Sequence, residues 1–283
     1  MAKIDGPPVM VNACTGKMGN AVAEAAVRAG LQLVPFSFTG ESEAVAIGNI
    51  GVSGIPVELV PPEVRQQALE DVRRDYPGLI IIDYTLPQAV NDNASFYSRN
   101  GIPFVMGTTG GDRDQLRADV EASGVYAVIA PQMGKQVVAF QATMQMMADQ
   151  FPGAFAGYKL EVEESHQRSK VDTSGTAKAI VASFRQLGIH FADNEIQKVR
   201  DPMAQVDHMH VPENALQGHA FHTYSLRSPD GSVGFQFQHN VCGREIYAEG
   251  SVDAVLFLYQ QIQQQTQQRL FSMIDVLRAG AMR

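Results

Sequence analysis

The chain has 283 residues, 45% hydrophobic and 18% charged, a balance that excludes a disordered or fibrous protein. Lys and Arg total 22 against 30 Asp and Glu, so the net charge is −8, and no basic run is present to meet a phosphate backbone; nucleic acid is not an expected partner. At about 150 residues per domain the length implies about two domains. The longest apolar stretches, residues 79–82 and 254–258, fall far short of the ~20 residues that span a bilayer, so no membrane partner is expected.

The pattern in chain order alternates strand and helix. Val9, Met10 and Val11 form a short apolar strand that meets a small, polar turn, residues 12–19. An alanine-rich helix follows over 21–29 and ends at Gly30, a natural C′ residue. Residues 31–38 read as strand two and 55–60 as strand three, before Pro61, Pro62 and a charged helix to about Arg74. Leu79, Ile80, Ile81 and Ile82 precede Asp83 without a polar break, which is how a strand buried on both faces of a parallel sheet reads. Pro87 opens a helix to about Arg99, strand 102–106 meets Gly107, a helix covers 113–121, and 125–130 is one more strand. Strands and helices at this spacing predict a Rossmann-like, doubly wound α/β sheet.

After Pro131 the pattern changes. Residues 137–150 are helical, with Val137, Phe140, Met144 and Met147 on a core-facing stripe. Residues 158–163 alternate as a half-buried strand, 172–188 read as a capped helix, and 220–226, 233–238 and 244–249 alternate again, with Ser228, Pro229, Asp230 and Gly231 as a turn. This predicts a second, mostly antiparallel sheet. Residues 251–277 return to helix; Leu258, Ile262 and Leu270 keep an apolar stripe through a glutamine-rich tract that reads as a solvated face.

The turn after strand one is the leading chemical cue. A buried strand, a glycine-containing turn and a helix bring backbone N–H groups to a helix N-terminus, where those donors and the macrodipole hold a pyrophosphate. Gly16 and Gly19 permit the close approach, while Ala13 stands where a glycine is usual. A dinucleotide is the expected ligand; a plain βα turn is the alternative. Cys14 reads as a packing residue. NAD selectivity usually needs a carboxylate at the end of strand two for the ribose 2′-OH, but Ser37, Phe38, Thr39 and Gly40 carry none before Glu41. Ser37 or Thr39 could donate to a 2′-phosphate, so NADPH is expected in preference to NADH, although no arginine is near in the sequence. Gly107, Thr108, Thr109 and Gly110, and Ala130, Pro131, Gln132 and Met133, follow later strands and point where a nicotinamide would lie, unless each is an ordinary βα turn.

The densest polar segment runs over residues 163–177. His166 and Lys170 are a titratable pair suited to an anionic substrate and to proton delivery. Ser174, Gly175 and Thr176 open a helix and offer hydroxyls and N–H groups to a carboxylate; a surface loop with an N-cap is the alternative. A hydride leaving a nicotinamide adds to an electron-poor carbon, and the electron-rich site left behind needs a proton, which a lysine beside positive charge can give. In an acidic chain an anion must be bound by local groups such as Lys170, Arg168 and the helix N-terminus. His208 with His210, on one face of a predicted strand, and His219 with His222 look like ligand clusters, but no carboxylate or cysteine set completes a zinc site and no metal is expected.

The turn 12–19, the turn 107–110 and the segment 164–177 together resemble dihydrodipicolinate reductase, the 4-hydroxy-tetrahydrodipicolinate reductases of diaminopimelate and lysine biosynthesis, in their plant-type branch. The likeness runs over nearly the whole chain, through residues 235–240 to 273–278. The segment 164–177 is highly specific, the turn moderately so. His166, Gln167, Arg168, Ser169 and Lys170 stand where many bacterial members carry a His-His-Arg-His-Lys run, and residues 172–175 are one residue shorter than the common bacterial pattern. The resemblance implies a dinucleotide-binding domain (1–130 and 251–283) and an α+β domain (131–250) that binds substrate and builds a homo-oligomer, dimer or tetramer. It implies an oxidoreductase in which NADPH, or NADH, delivers hydride to C4 of a small dicarboxylate ring with loss of the hydroxyl as water. By matched position His166 and Lys170 would be the catalytic proton-transfer pair, with Lys170 the favoured donor. Gly175 and Thr176, with Ser174 and Gln167, would hold a substrate carboxylate. Ala13, Cys14, Thr15, Gly16, Lys17, Met18, Gly107, Thr108, Thr109, Ala130, Pro131, Gln132 and Met133 would line the cofactor. A dehydrogenase of another amino-acid precursor and a non-catalytic NADPH-binding regulator are the competing readings. The segment 1–9 has no apolar secretory core, and Cys14 and Cys242 suit a reducing compartment; the expected setting is the cytoplasm, or the plastid stroma if a transit peptide has been removed.

Overall fold

The computed structural model describes residues 6–281. The described residues form two compact units, one from 6–135 with 245–281 and one from 136–244.

In the first unit, β1 (Val9–Asn12) leads into α1 (Lys17–Arg28), then β2 (Phe36–Phe38), α2 (Glu41–Ile47), β3 (Asn49–Val52), β4 (Ile55–Val60) and α3 (Arg65–Asp75). β5 (Ile80–Asp83), α4 (Val90–Arg99), β6 (Phe104–Met106), α5 (Arg113–Ser123) and β7 (Ala127–Ile129) follow. Every residue of β1, β5 and β6 is buried, as central parallel strands covered on both faces must be. β1, β5, β6 and β7 pair in parallel in that order. β2 is shorter than its sequence pattern because Pro35 interrupts the run and supplies no ladder donor. It pairs with β4 in a three-stranded sheet completed by antiparallel β3, which one parallel bridge, Val9 to Leu33, connects to β1.

The second unit holds α6 (Lys135–Gln150), whose first residue belongs to the first unit, then β8 (Lys159–His166), α7 (Gly175–Gln186), β9 (Gln197–Val199), α8 (Pro202–Asp207), β10 (His219–Arg227) and β11 (Gly234–Cys242). The sheet order is β11-β10-β8-β9. The first two pairings are antiparallel and β8 with β9 is parallel. Ile180, Val181 and Phe184 of α7 pack with Leu160, Val162, Tyr224 and Leu226 of the sheet. The chain then returns to the first unit with α9 (Glu245–Gln263), β12 (Leu270–Phe271) and α10 (Met273–Arg278).

The doubly wound sheet with a second, mixed sheet is the architecture its periodicity predicts. Three local readings are corrected. Residues 244–249, read as a strand, begin α9, because Ala248, Val252 and Val255 continue one buried helical stripe. The long terminal helix breaks after Gln263, and Leu270–Phe271 adds a fifth strand beside β7. His208 caps α8 and His210 has φ +56°, so these two histidines do not share a strand face.

Candidate active site

In the first unit the β1–α1 turn is built around a backbone crossing. Ala13 takes φ +58°, the left-handed region that costs an L-residue about 1–2 kcal/mol. Its carbonyl accepts from Gly16 N at 3.0 Å and lies where a Cβ on Gly19 would overlap it. Gly19 is therefore required for α1 to start this close to β1. The first N–H groups of α1 consequently face the strand end, the arrangement that suits a diphosphate.

Beside the turn lies a cavity of about 670 Å³ lined by Ala13, Thr15, Gly16 and Thr39, four of the residues the sequence proposes for a cofactor, and by Glu43, Arg65, Thr85 and Leu86, which the local sequence did not flag. The carboxylate that seemed absent near the end of β2 is supplied by Glu43, in the first turn of α2. Its Oε2 accepts from the Thr39 hydroxyl and from Thr15 Oγ1 at 3.2 Å. Arg65 arrives from α3, so the arginine missing from the neighbouring sequence is present in space.

Several expected cofactor residues are spent inside the fold. Ser37 is fully buried and its hydroxyl accepts from Cys14 N at 3.2 Å. Cys14 is buried, bonds Val11 O at 2.9 Å, and burial pushes its thiol up to about 11. Gly107 N donates to Asp83 O at 3.1 Å and Thr108 Oγ1 to Thr85 O at 3.1 Å. Thr109 and Pro131 are exposed, Ala130 and Met133 buried; Gln132 Oε1 accepts from Gly134 N at 2.9 Å. Lys17 is exposed and Met18 half-buried, outside the cavity lining. Beneath these turns, Tyr97 OH donates to Asp83 Oδ2 at 2.6 Å and accepts from Asn12 Nδ2 at 2.7 Å, tying together the carboxyl ends of β1 and β5.

In the second unit the strand register assembles a polar cluster. Glu164 and His166 are two apart on β8 and share a face; His222 of β10 pairs with Glu164, and His239 of β11 pairs with His222. Glu164, His166 and His222 are buried. Glu164 Oε1 accepts from Arg200 Nη2 at 2.8 Å and Ser174 N at 3.4 Å. Its Oε2 lies 2.7 Å from His166 Nδ1, charge against ring, without the alignment of a full hydrogen bond. Burial alone would push the Glu164 carboxyl up, but His166 and Arg200 outweigh it and hold it below the usual carboxylate range. His222 Nε2 meets Ser174 Oγ at 2.9 Å, and the same hydroxyl accepts Ala177 N as the N-cap of α7. Burial, then the positive field of His239, His166, Arg200 and Lys170, pushes His222 well below its ordinary value. His239 stacks on His222 at 4.4 Å and is pushed down to about 4, chiefly by burial.

The loop beyond β8 is fastened by its own backbone. Arg200 donates to Lys170 O at 2.9 Å and Glu164 O at 3.2 Å, and buried Gln205 donates to His166 O at 2.7 Å. Lys170 Nζ contacts both Asp172 oxygens at 2.9 Å, so its nearest charged partner is a carboxylate rather than a cation. Gln167 is half-buried, and Gly175 and Thr176 form the first turn of α7 behind Ser174. The segment 163–177 is thus fastened into a buried polar cluster. Its Glu164, Arg200, Gln205 and His239 were not assigned roles from the sequence. Glu164, His166 and His222 each offer a ligand atom within 4.8 Å of the others. The carboxylate that the histidines lacked in sequence therefore comes from β8. Arg200 already pairs with that carboxylate, and the positive surroundings suit an anion better than a cation.

A parallel sheet with a glycine turn after its first strand, carried on one chain with a sheet that holds a buried acid–base cluster, defines a two-unit oxidoreductase of the dinucleotide-binding class. The family is then specific. The sequence model described as dihydrodipicolinate reductase, N-terminus, matches residues 7–133, and that of the C-terminus matches residues 136–277. The chain belongs to the dihydrodipicolinate reductase family. It is 57% identical over 276 residues to a probable 4-hydroxy-tetrahydrodipicolinate reductase 1, chloroplastic, of Oryza sativa subsp. japonica, covering 98% of this chain and 80% of that one. It is 56% identical over 279 residues to 4-hydroxy-tetrahydrodipicolinate reductase 2, chloroplastic, of Arabidopsis thaliana, covering 99% and 79%. Among solved structures, a dipicolinate-bound dihydrodipicolinate reductase from Paenisporosarcina sp. TG-14 shares the fold, with a TM-score of 0.63 at 18% identity over 94% of this chain and 97% of that one. Among the described residues no helix is long and apolar enough to cross a membrane.

Proposed function

We propose that the chain reduces 4-hydroxy-tetrahydrodipicolinate to tetrahydrodipicolinate with NAD(P)H, NADPH preferred, in diaminopimelate and lysine biosynthesis. The β1–α1 turn fits a dinucleotide: Gly19 leaves room for the Ala13 carbonyl, and Ala13, Thr15, Gly16 and Thr39 border the adjoining cavity. The nicotinamide, when bound, supplies the hydride, and we assign it to C4 of the substrate ring. His166 and Lys170 move the protons that accompany loss of the 4-hydroxyl as water and protonation of the ring once the hydride has added. Lys170 is the favoured donor, since among the described residues its ammonium is held only by exposed Asp172. Ser174, Gly175 and Thr176 bind a substrate carboxylate at the start of α7, with Gln167 contributing its amide.

The observation that carries this reading is the buried Glu164–His166–His222–Ser174 array, which fixes an acid–base side chain beside a helix N-terminus. The chloroplastic names of the plant relatives support a plastid stromal setting. A homo-oligomer built through the second sheet is supported by edge strand β11, whose Phe235 is exposed. The test is turnover of freshly made substrate followed by loss of nicotinamide absorbance. His166→Ala and Lys170→Ala are each expected to lower kcat by about 10²-fold or more with cofactor affinity unchanged. Near-normal turnover in both variants refutes their roles.

A further inference from the structure

The cavity beside the β1–α1 turn has one cationic side chain among its described lining residues, Arg65. It comes from the first position of α3, far in sequence from the turn and from β2. Its guanidinium carbon sits 4.2 Å from the centroid of the Phe96 ring, and Nη1 donates to Asn93 Oδ1 at 3.3 Å. The stacked ring and the amide set the plane of the fork, yet among the described residues no carboxylate forms an ion pair with it. A half-buried, oriented guanidinium without an ion-pair partner among the described residues, facing a cavity whose lining also carries Glu43 and Asp92, is a receptor for an anion, and its planar fork matches a phosphate.

The other charge near the end of β2 is already engaged. Glu43 Oε2 accepts from Thr15 and Thr39, so it serves as part of the wall and remains an acceptor for a ribose hydroxyl. The two residues therefore pull in opposite directions: a carboxylate favours a free 2′-OH, and a guanidinium favours a 2′-phosphate.

We propose that Arg65 is the specificity-determining residue that reads the adenosine 2′-phosphate and so gives NADPH its advantage over NADH. The inference rests on the cofactor reading above. It makes the discriminating cation a residue of α3 rather than of the β2 loop.

The test is titration calorimetry of the whole protein with adenosine 2′,5′-bisphosphate and with AMP, probes that carry the difference without any turnover. For Arg65→Gln the bisphosphate is expected to bind about 10- to 100-fold more weakly, the equivalent of about one charge-assisted hydrogen bond, while AMP changes by less than about 3-fold. Arg65→Lys, which keeps the charge and loses the fork, is expected to fall between. Glu43→Gln is expected to raise the bisphosphate-to-AMP affinity ratio, and the NADPH-to-NADH ratio of kcat/KM should follow the same order. Equal losses for both nucleotides in Arg65→Gln, or no loss for either, leave the ratio unchanged and overturn the assignment, with Arg65 then only packing on Phe96. If the wild-type chain binds neither nucleotide, the cofactor reading itself fails and takes this inference with it. If it binds both and only the ratio is insensitive to Arg65, the cofactor reading stands and this inference falls.

Discussion

Replacing Glu164 by glutamine separates a buried ion pair from a surface one within the same unit. The Glu164 side chain is wholly buried and Arg200 is 17% exposed. Removing one partner of a buried pair typically costs about 3–5 kcal/mol, because the other charge is left without compensation. Two features of the structure place this case near the low end. Gln keeps an oxygen that can still accept from Arg200, and Arg200 also donates to three backbone carbonyls, those of Lys170, Glu164 and Val199. An expected loss of about 3 kcal/mol follows. Arg185–Asp193 has the same 2.8 Å separation, but both side chains are 41% exposed. Asp193→Asn should therefore cost about 0.5 kcal/mol or less. Urea unfolding of both variants, followed by far-UV circular dichroism, compares the two directly through their midpoints. If Glu164→Gln costs no more than Asp193→Asn, burial is not what gives the Glu164 contact its strength, and the cluster is not a fixed, desolvated frame.

Two further outcomes test the cluster and, separately, the β1–α1 turn. His239 is held at about 4 against an ordinary 6.5; between those values the unfolded chain takes up a proton that the folded chain refuses. Its contribution is complete above pH 6.5 and is lost as pH falls toward 4, so His239→Gln should flatten the pH dependence of the urea midpoint across that window, and an unchanged slope would contradict it. Gly19→Ala drives a methyl into the Ala13 carbonyl and should cost about 1–3 kcal/mol, as overpacking does, and weaken nucleotide binding; a thermal melt and an NADPH titration equal to wild type would show that the turn can relax.

What could be read from the sequence follows from how local each signal is. The continuous apolar run before Asp83 and the strand–turn–helix at Val9 to Arg28 depend on neighbours a few residues away, so periodicity and turn chemistry exposed them. Residues 244–249 misled because a short alternating stretch suits either a strand or the opening of a helix, and only the later Val252 and Val255 decide between them. The site divides along the same line. His166, Lys170 and Ser174 lie within one segment and could be grouped at once. Arg200, Gln205 and His239 are joined to that segment only by strand pairing and loop return, and nothing near them in sequence marks them. Arg65 and Glu43 escaped for the same reason, since the cavity wall is closed by helices that begin after the strand being read. Ser37 shows the converse. A hydroxyl that the sequence places at the end of strand two is buried and accepts from Cys14 N, a partner that nothing near it in sequence marks.

Lys170, within the segment 163–177, and Arg200, which fastens it, are held in different ways, and under the proposed function the difference bears on how an acidic chain can take up a dicarboxylate. Arg200 is tied to Glu164 and to three carbonyls inside the unit, so exchanging its partner would break a buried network. Lys170 is paired with Asp172, whose side chain is 77% exposed. A pair of that kind contributes about 0–1 kcal/mol, so an incoming carboxylate can take the ammonium from Asp172 at small cost. Under the proposed reaction Arg200 is then the fixed charge that shapes the loop, and Lys170 is the charge free to follow the substrate and give up a proton beside it. The net charge of −8 does not oppose this exchange, because the field that matters is set within a few ångströms by these four residues and screened beyond about 8–10 Å by ordinary salt.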